Sequence, residues 1–157
     1  MRLLALLFLS VLPLCAEPKS LFISQLPPPW QKMTRDSGMV FSGVVTQVRR
    51  SASSTGTTQI TFRVENAIRG VRRGQVVTIR EWSGLWNTGE RYVNGERVLL
   101  FLYPKSKLGL TSPVGGRLGR YAVDAAGRVL VADPQSPRPR PVPVKIVKAQ
   151  ISKVVKE

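Results

Sequence analysis

Few side chains in this sequence could carry chemistry. Its 157 residues contain no histidine and a single cysteine, Cys15. The first absence excludes Ser-His-Asp and Cys-His nucleophilic systems, histidine zinc sites and histidine acid–base catalysis. Cys15 directly precedes the expected cleavage site of a leader, so thiol chemistry is expected to leave with that leader. Carboxylate, lysine, serine and tyrosine chemistry remain. Glu90 and Glu96 flank one loop, and a glycosidase does need two carboxyl groups several ångströms apart. Almost any domain meets that demand by chance. Asp124 most simply starts a turn, and Asp133 precedes Pro134 in another. No Ser-x-x-Lys spacing occurs. The run Gly115 to Arg120, GGRLGR, could cradle an anion on its backbone amides, but it lacks the Lys-Ser/Thr ending and strand-to-helix setting of a P-loop. The expectation is a protein without catalytic residues, bound metal or cofactor.

Binding chemistry is better represented. Twenty-four Lys and Arg face nine Asp and Glu, a formal charge of +15. Such an excess favours acidic polymers, anionic lipid headgroups or nucleic acid. For an exported chain nucleic acid is the least expected of these. The basic residues are scattered, and the candidates for a binding face are Arg72, Arg73, Arg80, Arg117 and Arg120. Trp82 and Trp86 bracket Ser-Gly-Leu in a loop near Arg80 and Arg91 and join them. Tryptophan with arginine in a loop is common at binding surfaces. Packing of that loop across the end of a barrel explains the tryptophans equally well.

The elements that must position these residues follow from the patterning. Arg2, the apolar run Leu3–Leu14 and Ala16 have the layout of a secretory leader, so residues 1–16 are expected to be removed. The run is shorter than the ~20 apolar residues a membrane-crossing helix needs. Residues 17–38 form a proline-rich segment in which Pro27–Pro29 favour extended backbone, and Pro29 can open a short helix to about Asp36. From Met39 strand patterns take over. Gly43 interrupts MVFSGVVTQVRR as a bulge would. Ile60, Phe62 and Val64 then alternate with Thr61, Arg63 and Glu65, and Val77, Ile79 and Glu81 alternate with Val76, Thr78 and Arg80. RVLLFLYP has the continuous apolar run of a strand buried on both faces. YAVDAAGRVLVA reads as a hairpin turning at Asp124–Gly127. Residues 134–143 read as a proline and arginine linker. Residues 144–157 place Val144, Val147, Ile151 and Val154 at helical spacing, with lysines mostly off that stripe. Packing on the chain's own body is favoured over membrane-surface contact for this helix, because the stripe has no aromatic residue.

The order of these segments resembles the netrin-like superfamily, which includes the tissue inhibitors of metalloproteinases. VFSGVVTQV, then FRVENAIRGVRRGQVVTI, then NGERVLLFLYP carry the resemblance, from about Val40 to Tyr103. It implies an OB-type barrel and a fold that binds other molecules. That family's inhibitors chelate a protease zinc through an N-terminal cysteine, whereas here the expected mature N-terminus is Glu17. The combined expectation is an exported, mainly-β chain: a five- or six-stranded antiparallel OB-like barrel over 39–133 with a short C-terminal helix. Its expected function is non-catalytic binding of a protein or acidic polymer at the cell envelope. The alternatives are a protease inhibitor without the zinc-chelating cysteine and a carboxylate-based hydrolase using Glu90 and Glu96.

Overall fold

A computed structural model describes residues 28–50, 56–88, 91–133 and 136–154. The leader, residues 17–27 and Glu90 lie outside the described residues. Helix α1 spans Pro28–Asp36, close to the expected bounds. Its prolines occupy the first turn, where a backbone N–H has no intrahelical partner to lose. At its other end Arg69 donates to the Thr34 carbonyl at 2.6 Å, so a cation meets the helix C-terminus.

Four strands then form a Greek key. Strands β1 (Met39–Arg50), β2 (Thr57–Arg69) and β3 (Val76–Trp82) are consecutive antiparallel neighbours. Strand β4 (Arg97–Leu102) returns to lie antiparallel beside β1, and β5 (Arg120–Ala122) adds outside β4. The resulting order, β3-β2-β1-β4-β5, is mainly-β and consistent with an OB-type barrel. The sheet curls far enough for the β4–β5 connection to reach the edge of β3, where the Thr111 amide donates to the Arg80 carbonyl at 2.9 Å. Strands β6 (Arg128–Asp133) and β7 (Ser136–Pro143) form a separate antiparallel pair, and helix α2 (Val144–Val154) follows.

Two apolar layers meet at β4. Val98, Leu100 and Leu102 point to the inner side of the curled sheet with Phe41, Val45, Ile60, Phe62, Val64, Val77 and Ile79. Leu99 and Phe101 point the other way, onto Trp30 and Met33 of α1, Val129 and Val131 of β6, and Val144, Val147 and Ile151 of α2. All five residues from Val98 to Leu102 are 0% exposed. Each such side chain contributes about 1.5–3 kcal/mol on burial. This is why the run is uninterrupted: a strand between two layers has no wet face on which to place polar residues.

The bulge expected at Gly43 is present, with register shifts between Val40 and Phe41, between Ser42 and Gly43, and between Val45 and Gln47. A side-chain carbon at Gly43 would fall 2.5 Å from the Arg63 carbonyl oxygen, so the close crossing of β1 over β2 requires glycine. Asp124–Gly127 turns as expected, with the Gly127 amide donating to the Asp124 carbonyl and Val123 bridging to Val129.

The segment read as a linker differs. Residues Ser136–Pro143 are a strand, β7, paired along β6. Each proline in a strand removes a ladder donor. Here Pro141 and Pro143 alternate with Arg140 and Val142, so the lost N–H groups face outward and the two remaining amides face β6. The proline edge also resists pairing with a further strand.

Candidate functional site

The inner residues of β1–β3 fix which side chains must face outward. Register places Val44, Arg63 and Val76 side by side, then Gln47, Thr61 and Thr78, then Arg49, Gln59 and Arg80. Arg97 of β4 pairs with Val44 and extends the first row. Opposed residues share a face, and their neighbours Phe62, Ile60, Val77 and Ile79 fill the interior. The outer face of this sheet is therefore polar and basic. Strands lie about 4.8 Å apart, so the Arg49 and Arg80 backbones are separated by roughly 10 Å, and Arg63 lies about 13 Å along β2 from that row.

The charges on this face are available. The guanidinium groups of Arg49, Arg63 and Arg80 make no hydrogen bond or ion pair among the described residues. Glu65 is the acidic neighbour, and it faces Arg97 at 3.4 Å. Thr61 and Thr78 hydroxyls bond each other at 3.1 Å and keep the middle row polar but neutral. Trp82 closes the stripe at one end and is 61% exposed. A side-chain carbon at Gly84 would fall 2.3 Å from its ring, so the indole lies across that glycine, which holds the ring in place. At the other end, the turn between β2 and β3 carries the exposed Arg72 and Arg73.

The seven residues singled out from the sequence therefore separate into two regions. Arg80 and Trp82 share the outer face, and Arg72 and Arg73 extend it. Trp86 belongs to the 3-10 turn Ser83–Thr88, and its side chain lies outside the described residues. Arg117 and Arg120 sit elsewhere, beside Trp30 and Tyr121. Arg120 is also committed to the fold. It donates to Glu96 at 2.6 Å and to the Arg91 carbonyl at 3.1 Å, and its guanidinium lies 4.2 Å from the centre of the Tyr92 ring. Alternation does not place Arg49, because it follows an irregular stretch of β1 where the bulges shift which residues share a face. Arg63 was legible on the wet side of β2 from alternation alone.

The described carboxylates are engaged by neighbouring groups. Glu96 closes the turn Val93–Glu96, where its carboxylate accepts from the Val93 amide at 3.2 Å and its backbone N–H bonds the Val93 carbonyl at 3.0 Å. It is ion-paired to Arg120 at the same time. Glu81 was placed on the inner side of β3 by alternation, and it is 2% exposed. Tyr92 donates to it at 3.2 Å, at the wall of a small cavity of about 180 Å³. A buried carboxyl group held by a phenol is a satisfied interior polar group. No group of three or more acidic, cysteine or histidine side chains suited to a metal occurs among the described residues.

The fold defines a mainly-β class: a Greek-key sheet consistent with an OB-type barrel, backed by a two-stranded sheet and two helices. Compared with models of known protein families and with curated proteins, the chain has no match.

Proposed function

We propose that this chain is an exported, non-catalytic binding module that holds an acidic polymer on the outer face of β1–β3. The observation that carries this reading is the grouping of Arg49, Arg63 and Arg80, free of partners among the described residues, beside the exposed Trp82. Widely spaced cations on a rigid sheet suit a ligand whose charge is repeated along a chain. An aromatic ring beside them suits its sugar or base rings. The leader-like N-terminus supports export to the periplasm or beyond, where acidic envelope polymers are the available polyanions. The netrin-like segment order supports a binding role without the zinc-chelating cysteine of that family's inhibitors. Glu96, one of the two carboxylates of the hydrolase alternative, is bound to Arg120, which disfavours that alternative.

The test compares dextran sulfate with neutral dextran against the full chain at two salt concentrations. Binding to the sulfated polymer alone, weakened by salt, is expected. Replacing Arg49, Arg63 and Arg80 together by Ala should weaken it by roughly 3- to 100-fold, at about 0.2–1 kcal/mol per exposed charge. Affinity unchanged in that variant would refute the assignment to this face. Salt-resistant capture of a protein partner would favour a specific protein interface over a polymer.

A further inference from the structure

A separate groove shares no lining residue with the binding face described above. It lies between the start of α1, strand β5 and the β6–β7 pair, with a volume of about 910 Å³. Small-molecule sites occupy about 300–1,000 Å³ and are mainly apolar with a few placed polar groups. Trp30, Leu118, Tyr121, Leu130 and Val131 supply the apolar surface. The polar atoms of the two aromatic residues satisfy each other, because the Trp30 indole N–H donates to the Tyr121 hydroxyl. Burial raises the Tyr121 phenol above its ordinary value, with the indole bond opposing, so the floor stays uncharged at neutral pH. Leu118 is 62% exposed at the edge of this surface. A concave apolar surface with an uncovered leucine at its edge is suited to an apolar ligand.

One rim residue adds charge selectivity. Arg140 pairs with Val131 across the β6–β7 ladder, so both side chains are on the face that covers the groove. The Arg140 guanidinium has no hydrogen bond or ion pair among the described residues. The other charged lining groups are engaged: Arg120 with Glu96, and Arg117 and Asp133 each in an interaction of their own. A single planar guanidinium above an apolar trough matches a carboxylate at the end of a hydrocarbon chain, since its fork can meet both carboxylate oxygens.

We propose that this groove binds a single-chain aliphatic carboxylate, with the alkyl chain along Leu118, Tyr121 and Val131 and the carboxylate on Arg140. The site is independent of the polymer-binding face and stands whether or not that face is correctly assigned.

The test is a fluorescence titration of the full chain with dansyl-labelled undecanoate, followed by competition with dodecanoate and dodecanol. Enhanced emission, displaced at least tenfold more effectively by dodecanoate than by dodecanol, is expected. Arg140→Glu should weaken probe binding by tenfold or more. This residue is exposed, so the circular dichroism spectrum of the variant should match that of the parent. Leu118→Glu, at an exposed lining residue, should abolish uptake, while Arg63→Ala on the outer sheet should leave it unchanged. No uptake by the parent chain would overturn the proposal. So would equal competition by the alcohol, or an Arg140→Glu variant that binds as before. Loss of uptake in Arg63→Ala would place the probe on the polymer face and refute the groove as its site.

Discussion

Breaking the contact between Arg120 and Glu96 should destabilise the fold and reveal a coupling that an exposed surface pair would lack. The Arg120 side chain is 15% exposed and that of Glu96 is 27% exposed, with 2.6 Å between nitrogen and oxygen. Surface pairs in water are worth about 0–1 kcal/mol, and breaking a fully buried pair costs about 3–5 kcal/mol. This pair lies between those limits, so a coupling of about 1–2 kcal/mol is expected. Arg120→Met also loses the bond to the Arg91 carbonyl and the stacking on Tyr92. Hydrogen bonds made by charged groups contribute about 1.5–3 kcal/mol and exposed cation–π contacts about 0.5–1 kcal/mol. The single arginine variant should therefore cost about 3–6 kcal/mol. Glu96→Gln keeps the shape of the turn and an acceptor, so it should cost less, about 1–2 kcal/mol.

Urea unfolding of the parent, both single variants and the double variant closes the cycle. The double variant should be no less stable than Arg120→Met by more than about 0.5 kcal/mol, because most of what Glu96 does is lost with its partner. Strictly additive costs would refute the reasoning: Glu96 would then be an independent carboxylate, and the hydrolase alternative would regain its acid. An unaltered stability in Arg120→Met would refute the structural role assigned to the arginine.

Other outcomes follow from single contacts. Gly43→Ala should lower stability by about 1–3 kcal/mol in thermal unfolding, since the added carbon meets the Arg63 carbonyl at 2.5 Å and the β1–β2 crossing must shift. Tyr92→Phe should cost about 1–2 kcal/mol in urea by removing a donor to the buried Glu81. Asp124 is held below the ordinary aspartate range, chiefly by the Arg128 amide and then by its guanidinium. A depressed carboxyl stabilises the fold above its unfolded pKa, and that contribution is lost as pH falls through the folded value. The urea midpoint of Asp124→Asn should therefore lie below the parent's at neutral pH and converge with it in acid.

Local patterning determined much of this molecule. Alternation at Ile60, Phe62 and Val64 and at Val77, Ile79 and Glu81 assigned the inner faces of β2 and β3, including a buried carboxyl group. The unbroken Val98–Leu102 run identified the strand between two apolar layers, and the stripe of Val144, Val147 and Ile151 identified a helix that docks on the body. Gly43 was legible as a break in an apolar strand pattern, although the group that requires it, the Arg63 carbonyl, lies on β2. Tertiary structure decided what depends on distant partners. Periodicity says which residues of one strand share a face, but register between strands says which arginines stand together, and the β1 bulges shifted that register. Strand β7 could not be read from its prolines, since their tolerance depends on which edge meets β6. Sequence assigned no partner to either Arg120 or Arg63. Only the arrival of Glu96, Arg91 and Tyr92 around it, from a loop far along the chain, turned one arginine into a structural brace and left the other free.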